Sequence, residues 1–374
     1  MATTNTEEHW FTTGHPKIVF ENNEVGRLKK EVFDASEEEI DRILEEYEVP
    51  SPSELGKAGC YIQNSPRKMV VEKRKKNDVV FVPVGCTENH GMHANSGLDT
   101  FMATQIVEAV RRYTAKQGRE VRIAFPPLNY GGHPYHHTGM PGTVVIPKEV
   151  VEEMLIYMML GLWNDGFRKI VIINNHGQLW MLESAIQEFQ KRFQLPGIFQ
   201  VLDWHRAVRE FFIPIEREDS LETTFVHADE SETAVGLLMF GDMIDMNEAV
   251  DAWGESFLPE GHCDVSVDPW GRPHRWSEGQ GHFGIEYASV PEGVIGAPTK
   301  ATARKAKRPI AAILKYLTLL NDHILDAFPP GEVPPVEKVT LRTEAEMKPY
   351  LKEPQSKGWR PVYDIPHLGA FPKL

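Results

Sequence analysis

Two textures alternate along most of this chain. Asp78 to Gly85, Val121 to Leu128, Lys169 to His176 and Gly197 to Trp204 are short runs, rich in Val, Ile and Phe, with few polar interruptions. Such runs predict strands buried on both faces. Between and after them, apolar residues recur at helical spacing. Thr100 to Tyr113 carries Ala103, Ile106, Val107 and Val110 on one side, and Lys148 to Asp165 is an apolar-rich helix ended by Gly166. Met181 to Phe193, Ser231 to Phe240 and Arg304 to Ile324 read as further helices. Strands alternating with helices predict an α/β fold, a three-layer α/β/α sandwich with a mostly parallel central sheet. In such sheets a ligand site lies beyond the carboxyl ends of the strands.

The ends of the chain differ from its middle. Residues 1–30 are polar without clear periodicity, and a capped helix start follows at Asp34 to Glu39. There Ser36 can accept an orphan backbone N–H while Glu39 reaches back. Ile40, Ile43, Leu44 and Tyr47 form one apolar face before Pro50 and Pro52 stop the helix. From Ala327 onward the chain is Pro-rich, with Pro329, Pro330, Pro334 and Pro335, and is expected to wrap the surface or a neighbouring subunit. The expected division is an N-terminal extension over 1–55, a catalytic domain over 56–326 and a C-terminal tail over 327–374.

Composition narrows the function classes. At 374 residues the chain can bury a full core without disulfide staples. Its 40 Lys and Arg against 54 Asp and Glu give a net charge of −14, which argues against nucleic acid or an anionic membrane surface as partner. The basic stretch Arg67 to Lys76 reads as a solvated face. No apolar run is long enough to span a membrane, and the first residues lack the basic start and apolar stretch of a secretory signal. Three cysteines, Cys60, Cys86 and Cys263, are widely spaced and read as reduced thiols in a cytoplasmic protein.

Chemistry gathers at the predicted strand ends. The first strand runs into Glu88, His90 and His93, then Asp99 just ahead of a helix. Carboxylate and imidazole together suit Zn²⁺, Mn²⁺ or Fe²⁺. Residues i and i+2 of an extended segment face one way, so Glu88 and His90 can converge, while Asp99 can cap its helix or bridge two metals. The third strand ends in Asn174, Asn175, His176 and Gln178, at the same sheet edge. His227, Asp229, Glu230 and Glu232 open the helix at 231–240. There the acids suit a helix N-terminus, but they can also ligate a metal or move a proton. A Gly-rich loop after the second strand carries His133, His136 and His137. Among the aromatics Trp204, Trp270 and Trp276, one or two can stack on a flat ligand.

Taken together these segments resemble the creatininase (creatinine amidohydrolase) family. The resemblance rests on Gly85, Thr87, Glu88, His90, Gly91 and His93 with Asp99 eleven residues after the Glu. It extends to Asn174–Gly177, His227–Thr233, His137 with Met140–Thr143, and Gly296–Ala303, covering about residues 75–325. It implies a homo-oligomer, often a hexamer, with two divalent metal ions (Zn, Mn or Fe) and a small polar cyclic substrate. Glu88, Asp99 and His176 would hold one metal, and Asp99 would bridge to a second held by His90. Creatininase completes that second site with a Glu where this chain has Gln178, so Glu232 is expected to substitute. His227 or Glu230 would protonate the leaving group. His93, His133, His137, Gln178 and Trp204 would contact substrate.

The family includes creatinine hydrolysis, deformylation of a pyrimidine nucleotide precursor and hydrolytic ring opening of 3-dehydro-scyllo-inosose. The N-terminal extension, the tail and Gln178 set this chain apart from creatininase, and the hydrogen-bonding loops suit a polyhydroxylated ring. Ring-opening C–C hydrolysis is therefore the expected activity, with a cyclic amide or formyl group as the alternative substrate. A non-catalytic metal-binding assembly protein is the reading from another class. It is disfavoured because structural zinc sites are mostly Cys-rich.

Overall fold

The computed structural model describes residues 10–52, 54–125, 128–133, 138–253 and 286–368. Elements run β1 (Trp10–Thr12), β2 (Val19–Glu21), α1 (Glu24–Asp34), α2 (Glu37–Glu46), α3 (Arg67–Arg74), β3 (Val79–Val84), α4 (Leu98–Lys116) and β4 (Arg122–Ile123). They continue with α5 (Lys148–Asn164), β5 (Lys169–Asn174), α6 (Leu179–Phe193), β6 (Ile198–Asp203), α7 (Trp204–Ala207), α8 (Glu230–Phe240), α9 (Glu286–Ser289), α10 (Ala303–Ala327), α11 (Val336–Val339) and α12 (Glu344–Leu351).

The central sheet has four parallel strands in the order β4-β3-β5-β6. Its two faces are read directly from β3 and β5. Val79, Phe81, Val171 and Ile173 pack into one apolar layer with α4, α8 and α10. Val80, Val82, Val84, Ile170 and Ile172 pack into the other with α5 and α6. A strand covered on both faces has no polar side, which is why these runs read as continuous rather than alternating. The three-layer α/β/α expectation holds.

Strand order places the site. The chain leaves β3 outward to β4, then returns across β3 to β5 on its other side. The point where the order reverses lies between β3 and β5, and the crevice beyond their carboxyl ends is the place such sheets leave for ligands.

Three details differ from the sequence reading. The second strand is ladder-paired only at Arg122 and Ile123. Phe125 adopts a φ of 64°, outside the strand region, and pairing resumes at Leu128 opposite Val84. Before residue 30 the structure places a small hairpin and α1. The buried side of α1 is Gly26, Lys29, Val32 and Phe33, so a glycine and a lysine hide its helical period. Gly26 lies against the backbone of Glu21, where a Cβ would come within 1.8 Å of its carbonyl oxygen. Lys29 is paired with buried Glu210 at 3.1 Å. The capping box of α2 forms as expected between Ser36 and Glu39, and the helix ends at Glu46, ahead of Pro50.

Described residues of both flanking segments are built into these layers. Ile18, Phe20, Val32, Phe33, Ile40 and Leu44 belong to the core that contains α4 and α10. Val336, Met347, Tyr350, Val362 and Ile365 belong to the core that contains α5 and α6. No helix among the described residues is long and apolar enough to cross a membrane.

Candidate metal centre

The loop after β3 is shaped by Gly85. It runs so close under the first turn of α4 that a Cβ there would lie 2.4 Å from the Thr100 nitrogen. Beyond it Cys86 and Glu88 are both buried, spaced i and i+2 in extended chain. Asp99 sits in the first turn of α4 without capping it, since the N-cap is Gly97 and no side chain makes a cap bond. Its two carboxylate oxygens serve two sides. Oδ2 lies 3.3 Å from His176 Nδ1 and 2.7 Å from Cys86 Sγ. Oδ1 lies 3.7 Å from His90 Nε2 and accepts from Asn175 Nδ2 at 2.8 Å.

Two groups of donor atoms therefore share Asp99. In one, Glu88 Oε2 is 3.0 Å from His176 Nδ1. In the other, Glu232 Oε2 is 3.5 Å from His90 Nε2. Glu232 reaches inward because α8 starts at the site edge, where the Ala228 N–H also donates to Glu232 Oε2 at 2.6 Å. His133 joins the first group: the donor atoms of Cys86, Glu88, His133 and His176 lie within 4.8 Å of one another.

Three observations fit divalent cations here. Arms of about 2.0–2.2 Å meeting at a tetrahedral angle put neighbouring O and N donors about 3.3–3.6 Å apart, close to the separations found. The His90 ring is the second. Its Nδ1 lies 3.1 Å from the Glu88 carbonyl oxygen, which can only accept, so Nδ1 carries a hydrogen and Nε2, turned toward two carboxylates, is the atom left to engage a cation. That Nε2 is buried and makes no hydrogen bond. A histidine held by its far nitrogen on a backbone carbonyl is the usual form of a metal-binding imidazole.

The third is charge. Glu88, Asp99 and Glu232 are all buried. Burial disfavours a charged His90, yet Asp99, Glu232 and Glu88 outweigh it and hold its pKa up at about 10. His176 is likewise pushed well above its ordinary value: burial opposes, and the Glu88 and Asp99 carboxylates prevail. For Asp99, burial raises and the His90 and His176 charges lower, leaving it below the ordinary carboxylate value. Without metal, protons on the imidazoles supply the positive charge that cations would bring.

Other expected site residues fall into place differently. His227 donates through Nε2 to the Asn89 carbonyl oxygen at 2.7 Å and turns Nδ1 toward Glu88 Oε2 at 3.8 Å. His93 is drawn to α8, with Nε2 2.9 Å from the Thr233 hydroxyl, and burial, then the His90 and His227 charges, push its pKa down to about 4. Gln178 braces the loops of the site. Its Nε2 donates to Gly85 O and Asn174 Oδ1, and its Oε1 accepts from the Gly132 N–H. Both ends of the amide are used to tie three strand-end loops together, and the Gly85 carbonyl needs a donor that a carboxylate could not be.

Glu230 is not brought to the cluster. Its carboxylate is fully buried against Lys305 Nζ at 2.6 Å and accepts from the Glu222 and Thr223 amides and the Thr223 hydroxyl. Trp204 offers no face to a ligand. It is 0% exposed, lies edge-on to Phe212, and gives its indole N–H to Asn175 Oδ1. His137, His136, Trp270, Trp276 and Cys263 lie outside the described residues.

Two residues were missed by sequence reasoning. Cys86 was read only as a reduced thiol, although its i, i+2 relation to Glu88 was a usable signal. Asn175 holds Asp99, and Trp204 in turn holds Asn175 with its amide N–H₂ toward Asp99. Trp204→Phe keeps the ring in the core but frees that amide. It is expected to lower kcat about tenfold to a hundredfold and stability by about 1–3 kcal/mol, measured by steady-state kinetics and urea unfolding.

The chain matches the family model described as creatininase, creatinine amidohydrolase, over residues 64–320. It is 41% identical over 313 residues to the 3-dehydro-scyllo-inosose hydrolase of Thermotoga maritima, covering 83% of this chain and 98% of that protein. It is 35% identical over 241 residues to the mycofactocin precursor peptide peptidase of Mycolicibacterium smegmatis, covering 63% of this chain and 81% of that one. Among solved structures, a creatinine amidohydrolase aligns with a TM-score of 0.55 at 19% identity, over 75% of this chain and 100% of that one.

Proposed function

The chain belongs to the creatininase family, and from that premise we propose that it is a metal-dependent hydrolase that opens the ring of 3-dehydro-scyllo-inosose. The observation that carries the substrate is the 41% identity extending over 98% of the hydrolase that acts on it. The paired donor groups around Asp99 support the metal dependence. Glu88, Asp99 and His176 would hold one cation, and His90, Asp99 and Glu232 a second, of the Zn, Mn or Fe type.

Bound there, divalent cations polarise a carbonyl oxygen and lower the pKa of water. The protein's own side chains do the rest. Asn175 fixes the Asp99 carboxylate by donating to Oδ1, and the Glu88 carbonyl fixes the His90 ring. His227 holds its hydrogen on Nε2 against Asn89 O, which leaves Nδ1 as the acceptor facing the cluster. It is placed to take a proton from the attacking water and return it. The reaction balances as addition of water across a C–C bond. Hydroxide joins the carbonyl carbon, which becomes a carboxylic acid. The electrons of the broken bond pass into the neighbouring ketone as an enolate, and the enolate carbon takes the proton.

An exposed apolar stripe on α5, formed by Val150, Met154 and Tyr157 with Val144 and Val145 nearby, supports a homo-oligomer, because such patches mark association surfaces.

The deciding experiment is a proton NMR time course. Protein loaded with Zn²⁺ or Mn²⁺ meets 3-dehydro-scyllo-inosose and creatinine in one tube. Loss of the inosose ring signals with growth of an open-chain keto acid is the expected result. Consumption of creatinine alone would replace the proposal with cyclic amide hydrolysis.

A further inference from the structure

We propose that Cys86 is itself a cation ligand, its sulfur completing the Glu88–Asp99–His176 side of the centre and biasing that side toward zinc-type over manganese-type ions. The inference rests on the metal centre proposed above.

Packing does not explain this thiol. Cys86 is 0% exposed, yet it belongs to neither apolar layer of the sandwich, whereas buried Cys60 belongs to the one around α4. What surrounds Cys86 is polar. Its Sγ is 2.7 Å from Asp99 Oδ2 and 3.8 Å from Glu88 Oε2, and its donor atom falls within 4.8 Å of those of His133 and His176. Without metal the S–H donates to Asp99 Oδ2. A thiol among carboxylates and imidazoles is the fourth donor that a four-coordinate ion of the zinc type takes up.

A separate observation points to a cation on the other side of the carboxylate that Cys86 touches. His90 Nε2, fully enclosed and without a hydrogen bond, is turned toward the other oxygen of the Asp99 carboxylate that Cys86 touches. Sulfur changes which ion is preferred, because thiolate is a soft ligand that favours zinc, cobalt and copper(I), whereas all-oxygen and nitrogen sets admit manganese and magnesium. On binding, the S–H bond breaks, its proton leaves to solvent, and the metal–sulfur bond forms. No electron is transferred.

Cobalt(II) titration of the metal-free, full-length protein tests this. Visible d–d absorption reports cobalt held by any donors, and a near-ultraviolet sulfur-to-cobalt charge-transfer band reports thiolate ligation alone. The expected result is a charge-transfer band that grows with bound cobalt to one sulfur per chain. Cys86→Ser should lose that band and keep the d–d bands. In Zn²⁺ against Mn²⁺ competition, the zinc preference of Cys86→Ser should fall at least about tenfold. Cobalt bound to wild type without a charge-transfer band would overturn the role of Cys86 and leave the metal centre standing. So would a band that persists in Cys86→Ser. An unchanged zinc-to-manganese ratio would overturn the bias. Absence of bound cobalt from wild type would overturn the centre and this inference together.

Discussion

Asp99→Ala is expected to abolish turnover and leave the protein without bound cations. The two oxygens of Asp99 face different donor groups, Oδ2 toward His176 and Oδ1 toward His90. Removing it takes a ligand from both sides at once, where loss of Glu232 would take a ligand from one. The expected fall in kcat/KM is at least about 10⁴-fold, or ~5.5 kcal/mol of transition-state stabilisation. Elemental analysis after desalting should find near two metals per chain in wild type and near none in the variant. Stability gives an independent readout. Each cation at a hundred times its dissociation constant adds about 2.7 kcal/mol, so chelation should lower the wild-type Tm by roughly 5–10 °C. The same chelator should leave the Tm of Asp99→Ala unchanged. Two metals retained in the variant would refute the shared-ligand arrangement.

Changing Glu230 should damage the fold and spare the chemistry. Its carboxylate is entirely enclosed, paired with Lys305 and accepting from the Glu222 and Thr223 amides. Breaking a buried pair costs about 3–5 kcal/mol where the other charge is left uncompensated, and here Lys305 keeps Glu222 at 2.7 Å. For Glu230→Gln, which keeps one acceptor oxygen for the amides, the lower end of that range is expected in urea unfolding. The kcat of the folded fraction should fall less than about tenfold, because no atom of Glu230 is among the clustered donors. A loss of a thousandfold in kcat with unchanged stability would restore Glu230 as a proton donor. Asp229 is structural in the same sense. It caps α8, and burial followed by the Glu232 charge raises its pKa to about 6.

These two residues mark how far the sequence could be read. Glu230 and Glu232 are two positions apart at the start of one helix, and nothing in their spacing separates them. The rotation of α8 does. It turns Glu232 into the crevice beside His90 and turns Glu230 back toward Lys305 on α10, a residue 75 positions away in the chain.

Local pattern was enough for the parallel sheet and its layers, because strands covered on both faces must be apolar at every position and the connecting helices must repeat every three or four. It was also enough to place Glu88, His90, Asp99 and His176 at one edge, since strand ends in a parallel sheet point the same way. The first helix escaped because Gly26 and Lys29 occupy its buried face, for reasons that lie in Glu21 and Glu210. The functions of Cys86, Asn175, Gln178 and Trp204 depended on which loop each side chain meets across the crevice. Hydrophobic periodicity is a property of neighbours in the chain and determines elements. Hydrogen-bond partners, burial of charge and the sharing of one carboxylate between two donor groups depend on distances between strand ends, and only the packed tertiary structure decides those.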